Sequence, residues 1–269
     1  MASSHPTLLG IPYDASSSFL RGAAGAPPLI RRALASPSTN SWTESFRDLM
    51  SDGTLADAGD LDLSKDDAPR AAIERGARDV VNRGDRPISL GGDHSITYPL
   101  LRAIRADHPR LTVLHVDAHG DLYEKFQGDR YSHACPFARI MEERLATRLV
   151  QVGIRTLNAH QRAQVDRFGV EVIDMRAWTA GARPEVTGPV YISIDLDALD
   201  PAFAPGVSHW EPGGLTVREV ITLVQGAGGR LIGADVVEYN PVRDPSGITA
   251  VVAAKLVKEL ASRMLADDA

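Results

Sequence analysis

Four short segments gather the side chains of this chain that could do chemistry. They are Gly91-Gly92-Asp93-His94, Asp117-Ala118-His119-Gly120-Asp121, Asp195-Leu196-Asp197 and Asp235-Val236-Val237-Glu238. Asp117, His119 and Asp121 alternate, and two-residue spacing on an extended backbone puts side chains on one side. Asp195 and Asp197 repeat that spacing, and His94 follows a turn loosened by Gly91 and Gly92. His94, Asp117, His119, Asp121, Asp195 and Asp197 thus offer imidazoles and carboxylates at ligand spacing. These hard-to-borderline donors suit Mn²⁺, with Fe²⁺, Co²⁺, Ni²⁺ or Zn²⁺ as substitutes. Six side chains are too many for one catalytic ion with open positions. Two ions roughly 3.5–4 Å apart, sharing carboxylates and a bridging water, fit better, and they would lower the pKa of that water toward ~7. Any one aspartate reads equally well as a helix or turn cap. All of them together do not, because ionised aspartate is seldom buried without a partner or a metal.

Formal charge narrows the substrate. The four aspartates balance two divalent ions, and a bridging hydroxide plus Glu238 then leaves an excess of negative charge. Such a site repels a phosphate dianion or a carboxylate at the reacting centre and attracts a planar cation. A guanidinium is permanently charged, and its donor fork matches a carboxylate. Glu238 is then the natural clamp; the alternative is a surface salt bridge. Expelling an amine needs a proton. His133, in Tyr131-Ser132-His133-Ala134-Cys135-Pro136, is the remaining candidate acid or shuttle. On pattern alone an ordinary loop histidine is an equal reading.

Positioning these groups takes strands that end together. Apolar, strand-like runs span 7–11, 87–90, 111–116, 148–152, 170–174, 190–194 and 230–237. Helical stretches span 69–82, 96–107, 137–145, 159–168, 217–227 and 248–263. Their alternation predicts an α/β fold, a mostly parallel sheet with helices on both faces. Every cluster falls at the carboxyl end of a strand-like run, where such folds bind ligands. Two loops stand out, 14–28 and 200–214. Neither an internal repeat nor a long linker divides the chain, so one domain over 1–269 is expected. No run approaches the roughly 18 apolar residues of a membrane helix. Segment 1–6 is short and polar, and a soluble cytoplasmic protein is expected. The formal charge of −6 argues against nucleic-acid binding. The single cysteine, Cys135, rules out an internal disulfide framework and a Cys-based zinc site.

These motifs resemble those of the ureohydrolases, the family of arginases, agmatinases and their relatives. Gly-Gly-Asp-His-Ser (91–95), Asp-Ala-His-Gly-Asp (117–121) and Ser-Ile-Asp-Leu-Asp-Ala-Leu-Asp-Pro (193–201) look like its three metal motifs. The likeness runs from residue 10 to residue 256. Stretches 17–20, 38–41, 131–134, 137–142 and 201–209 are similar to plant-type arginases in particular. The resemblance implies an arginase-like three-layer α/β/α fold, two Mn²⁺ ions and attack of a metal-bridging hydroxide on a guanidino group. The product pair would be L-ornithine and urea from L-arginine. The alternative is agmatinase chemistry, agmatine to putrescine and urea, or another guanidino compound. By the same resemblance His94, Asp117, His119, Asp121, Asp195 and Asp197 hold the ions, and Asp121 also orients the hydroxide. His133 shuttles the proton, and Glu238 binds the guanidinium. A homo-oligomer, trimer or hexamer, is expected by analogy. Two departures matter. Gly120 stands where the plant-type proteins carry proline. Loop 126–131 lacks the Asn-containing signature by which animal and some bacterial arginases hold the amino-acid end of arginine. Tail recognition is therefore not carried over; Arg130 could pair with an α-carboxylate or be a solvated loop arginine.

Other residues read more plainly. Cys135 lies close to His133, but no electropositive pocket or orienting partner for a Cys–His nucleophile is evident. His115, inside an apolar strand, reads as a hydrogen-bonded core residue. His5, His108 and His160 read as surface or terminal positions. His209 and Glu211 sit in a loop bordering the site, and Glu211 could meet a substrate's distal amine. Asp93 and Asp200 flank ligands and would brace them. The Ser-rich 14–18 stretch carries no nucleotide-loop pattern. An amide hydrolase of the deacetylase type would use one metal, fewer carboxylates and paired histidines. A degenerate, nonenzymatic relative would have lost a ligand.

Overall fold

A computed structural model of the chain describes residues 4–51, 54–63 and 68–267; the first three residues of the polar 1–6 segment lie outside it. In chain order the elements are β1 (Pro6–Gly10), α1 (Ala26–Leu34), β2 (Ala56–Asp60), α2 (Pro69–Asn82), β3 (Arg86–Leu90) and α3 (Thr97–Arg105). Next come β4 (Thr112–Val116), α4 (Pro136–Glu142), β5 (Arg148–Ile154), α5 (Ala159–Phe168), β6 (Glu171–Asp174) and α6 (Met175–Thr179). The chain closes with β7 (Pro189–Asp195), α7 (Val217–Gly226), β8 (Arg230–Val237) and α8 (Ile248–Ala266).

The strands join one sheet in the order β2-β1-β3-β8-β7-β4-β5-β6, and every pairing is parallel. Strands covered on both faces must be apolar on both. Accordingly β3 and β4 are buried along their whole length. One face packs on α1, α6, α7 and α8 through Leu8, Ile88, Leu114, Ile192 and their neighbours. The other packs on α2, α3, α4 and α5 through Leu9, Val113, Tyr191 and Ile232. This is the three-layer α/β/α arrangement the sequence predicts.

Strand order explains where the site lies. β1 and β3 start one half, the chain then crosses to β4, β5 and β6, and β7 and β8 return to fill the gap between β3 and β4. A reversal of strand order opens a crevice beyond the carboxyl ends. Register makes those ends level. Leu90 pairs with Val236, Val236 with Ile194, and Ile194 with Val116. All four site segments leave the sheet from this one row.

Sequence reading missed three elements. β2 is Ala-Asp-Ala-Gly-Asp, exposed throughout and paired only with β1 at the sheet edge. Its composition is poor for a strand, and edges tolerate charge. The 14–28 loop is shorter than expected: a 3-10 turn spans Ala23–Gly25 and α1 begins at Ala26. Pro27 and Pro28 occupy the first positions of α1, where a missing N–H costs nothing. The third, α6, is a five-residue helix capped by Asp174.

Candidate active site

His94 Nδ1 lies 3.1 Å from Asp117 Oδ2, 3.1 Å from Asp195 Oδ2 and 3.3 Å from Asp121 Oδ2. His119 Nδ1 lies 3.0 Å from Asp197 Oδ2 and 3.5 Å from Asp117 Oδ1. Asp117 therefore serves both groups, one oxygen to each, as a carboxylate shared between two ions would. Asp121 reaches this point with φ at 47°. A left-handed backbone costs a non-glycine residue about 1–2 kcal/mol, and such strain concentrates at functional sites. The turn before His94 is glycine-rich for a different reason than looseness. A Cβ on Gly92 would stand 1.6 Å from the Tyr13 carbonyl oxygen, so the close approach of two loops excludes any side chain.

The candidate ligands are braced from behind. Buried His115 donates from Nε2 to Asp117 Oδ2 at 2.7 Å, while its Nδ1 accepts from Gln151 Nε2 at 3.0 Å. Both ring nitrogens are thus committed, so His115 orients Asp117 and is not itself a ligand. Burial lowers its pKa and keeps it neutral. His94 Nε2 meets Ser193 Oγ at 2.9 Å, and Ser193 Oγ donates to Asp235 Oδ1 at 2.6 Å. Asp235 also accepts from Tyr191 and Thr97. Asp93 receives Ser95 on one oxygen and the Ser16 N–H on the other. Asp200 ties together its own loop through Ala202 and Gly213.

Opposite the aspartates stands a second pair. Glu238, at φ 63°, is buried rather than a surface salt-bridge partner. Its Oε1 lies 2.8 Å from His133 Nδ1. His133 Nε2 lies 3.1 Å from the Ser18 backbone nitrogen and 2.8 Å from Ser18 Oγ. The Ser18 N–H suits the neutral ring, and its hydroxyl can accept from the charged one. Burial opposes charging of His133, but Glu238, Asp93 and Asp121 hold its pKa up, at about 9. A cavity of about 210 Å³ joins both halves. Ser18, His119, Asp121, His133 and Glu238 line it, with Tyr123 and Asn158.

The donor set fits metal ions. Asp117, Asp195 and Asp197 are buried, and among the described residues their side-chain ion-pair partners are histidines alone. Burial, then Asp197 and Asp117, raises the Asp195 pKa well above the carboxylate range; burial lifts Asp197 to about 6. Burial also opposes ionisation of Asp117, yet the surrounding histidines hold it well below that range. So much buried carboxylate is costly without cations of high charge. Asp117, His119 and Asp197 form one grouping able to hold an ion, and the carboxylates converging on His94 Nδ1 form another.

Other expectations resolve on geometry. Arg130 is exposed and bonded to Glu142, so it is a solvated loop arginine. Glu211 Oε1 faces His119 Nε2 at 3.7 Å. His209 borders the cavity, its ring 5.3 Å from that of His133. Cys135 is buried, and burial pushes its thiol up to about 12, which leaves it unreactive. Ser18 and Ser193 were missed as site residues, and Asp235, named with the fourth segment, was given no role. Their partners lie far away in sequence, and no local spacing announces them.

The Arginase family profile matches residues 5–262. "Arginase 1, mitochondrial" of Arabidopsis thaliana is 47% identical, over 98% of this chain and 82% of its own length. "Guanidino acid hydrolase, mitochondrial" of Homo sapiens is 36% identical, over 94% of this chain and 76% of its own. A solved structure, the arginase from Medicago truncatula, superposes with a TM-score of 0.93 at 46% identity, covering 97% of this chain and 87% of that one. The chain belongs to the Arginase family and is one of its hydrolases.

Proposed function

We propose that this protein hydrolyses the guanidino group of L-arginine, giving L-ornithine and urea. One observation carries the reading. The Glu238–His133 pair and the shared carboxylate Asp117 belong to two groups of side chains that meet at one cavity. Two Mn²⁺ ions held by His94, Asp117, His119, Asp121, Asp195 and Asp197 would activate water near neutral pH and neutralise the aspartates. Glu238 Oε1 is taken by His133 and the His94 N–H, which leaves Oε2 to accept from the guanidinium. His133, charged at neutral pH, gives its proton to the departing amine. Asp121, beside His94 Nδ1 and lining the cavity, accepts the proton of the attacking water.

Agmatine is the second reading, and it too rests on an observation. Among the described residues, the cavity lining holds no Lys or Arg to pair an α-carboxylate. Urea release with L-arginine and agmatine side by side separates the two. Preference for arginine supports the first reading, preference for agmatine the second, and urea from neither overturns both.

An oligomer of this chain, working as one domain over 1–269 in the cytoplasm, completes the proposal. Phe19, Trp210 and Val242 are 53%, 51% and 79% exposed, on loops bound together by Ser208 and Asn240 at the Leu20 carbonyl. An apolar rim of that kind favours association, and family analogy makes the assembly a trimer or hexamer. Light scattering tests the state, and cell fractionation tests the compartment. A monomer, or recovery in an organelle, removes that part of the proposal.

A further inference from the structure

Arg70 lies outside the reaction cavity, on the first turn of α2, yet it bonds to both loops around His133. Its guanidinium carbon sits 4.6 Å from the centre of the Tyr131 ring. Nη2 donates to Ser16 Oγ at 2.9 Å and to the Tyr131 carbonyl at 3.4 Å. Ser16 is the junction of the two loops. Its carbonyl accepts the His133 N–H at 3.1 Å, its N–H goes to Asp93 at 2.9 Å, and its hydroxyl lies 3.2 Å from Tyr13 OH. Close by in sequence, Ser18 meets the imidazole itself through both its N–H and its hydroxyl. One side of the His133 ring is therefore set by loop 14–18, the other by Glu238. Arg70 fixes the first of these against the segment that carries His133.

We propose that Arg70 is a positioning residue for proton delivery: by tying Ser16 to Tyr131 it holds the His133 imidazole between Ser18 and Glu238, at the wall of the reaction cavity. The proposal rests on the reading of His133 as the acid. A planar guanidinium suits the task, because it can lie on an aromatic face and still aim its N–H groups in the plane. Small displacements of a catalytic group are expensive; about 1 Å can cost a hundredfold in rate. A latch that merely stabilised the surface would affect every substrate alike. Mispositioning of an acid weighs most on substrates whose leaving group needs the proton.

The test uses the Mn²⁺-loaded full chain with two substrates of identical tail. One is L-arginine, which expels a strongly basic alkylamine. The other is its guanidinooxy analogue, which expels a weakly basic alkoxyamine. Arg70→Ala should lower kcat for arginine about tenfold and for the analogue less than about threefold, the loss reflecting part of the general-acid contribution. KM and manganese content should stay within about twofold, as a role in positioning rather than binding requires. Ser16→Ala removes the hydroxyl that meets both Arg70 and Tyr13, leaves Arg70 on Tyr131, and should give the same pattern, more weakly. The double variant should lose less than the sum of the two single losses, since the Arg70–Ser16 contact is common to both. Arg70→Lys, without the fork, should fall between. Equal losses for the two substrates, or manganese lost in step with activity, overturn the proposal. If Arg70→Ala does not fold, Ser16→Ala decides by the same comparison. Absence of urea from the unsubstituted chain with either compound overturns the proposed function and this inference with it.

Discussion

Glu238 Oε1 lies 2.8 Å from His133 Nδ1 and 2.8 Å from the backbone nitrogen of His94. One carboxylate oxygen thus joins the proposed acid to the loop of a proposed metal ligand. The other oxygen is left for substrate. Replacing Glu238 with Gln keeps the shape and removes the charge. Charge-assisted hydrogen bonds contribute about 1.5–3 kcal/mol, so urea release should drop between about tenfold and a hundredfold or more. Manganese content, measured by atomic spectroscopy, should not change. If it falls in proportion, Glu238 is a ligand and its role as clamp is wrong.

The pH profile follows from the same pair. The His133 pKa stands at about 9, above its ordinary value of 6.5, because Glu238, Asp93 and Asp121 outweigh the burial that opposes its charge. A raised folded-state pKa adds stability that is complete below the unfolded value and is lost as pH rises through the folded one. The acid form needed for turnover disappears over that same upper range. Urea formation should hold through neutral pH and fall about tenfold per unit well above pH 9. His133→Asn should lack that limb. A parent profile still flat at high pH removes His133 as the acid.

Ser193 links His94 to Asp235, a buried carboxylate with no ion-pair partner among the described residues. It stands 2.9 Å from His94 Nε2 and 2.6 Å from Asp235 Oδ1. Partners behind a metal ligand typically contribute about 10–100-fold in metal affinity. Ser193→Ala should weaken Mn²⁺ binding by that amount while the fold persists. Titration calorimetry against the parent measures it; unchanged affinity would show that His94 is held by its surroundings without Ser193.

Gly92 is expected to refuse even a methyl group. Its virtual Cβ meets the Tyr13 carbonyl oxygen at 1.6 Å, and backbone cannot step aside as a side chain can. Overpacking costs about 1–3 kcal/mol and sometimes more, and Gly92→Ala should sit at or above the upper end in thermal unfolding. Gly213→Ala has open space at its Cβ but a φ of 87°, so its loss comes from backbone strain alone and should be smaller. Equal losses would mean that close approach is not what Gly92 provides.

How much of this was legible in the sequence follows from what local spacing can record. Asp117, His119 and Asp121 alternate along one short stretch, so their convergence could be read directly. The inner strands were legible because burial on both faces makes them continuous apolar runs. β2 was not, because an edge strand with no core face carries no such signal. α1 was hidden by Pro27 and Pro28, which belong equally to a loop and to a helix start. His115 could be read as a bonded core residue, but its partner could not be named. Ser193 looked like an ordinary strand position and Asp235, named with the fourth segment, had no assignable role, because what joins them is a register between β7 and β8 that no single segment contains.

The level row formed by Leu90, Val236, Ile194 and Val116 has a kinetic consequence. None of its strands is an edge strand, so its amides should exchange with solvent only when the whole sheet opens. The loops carrying Ser18 and His133 lie above that row and are fastened by side-chain bonds. Hydrogen exchange should therefore divide the protein into a slow floor and a faster roof.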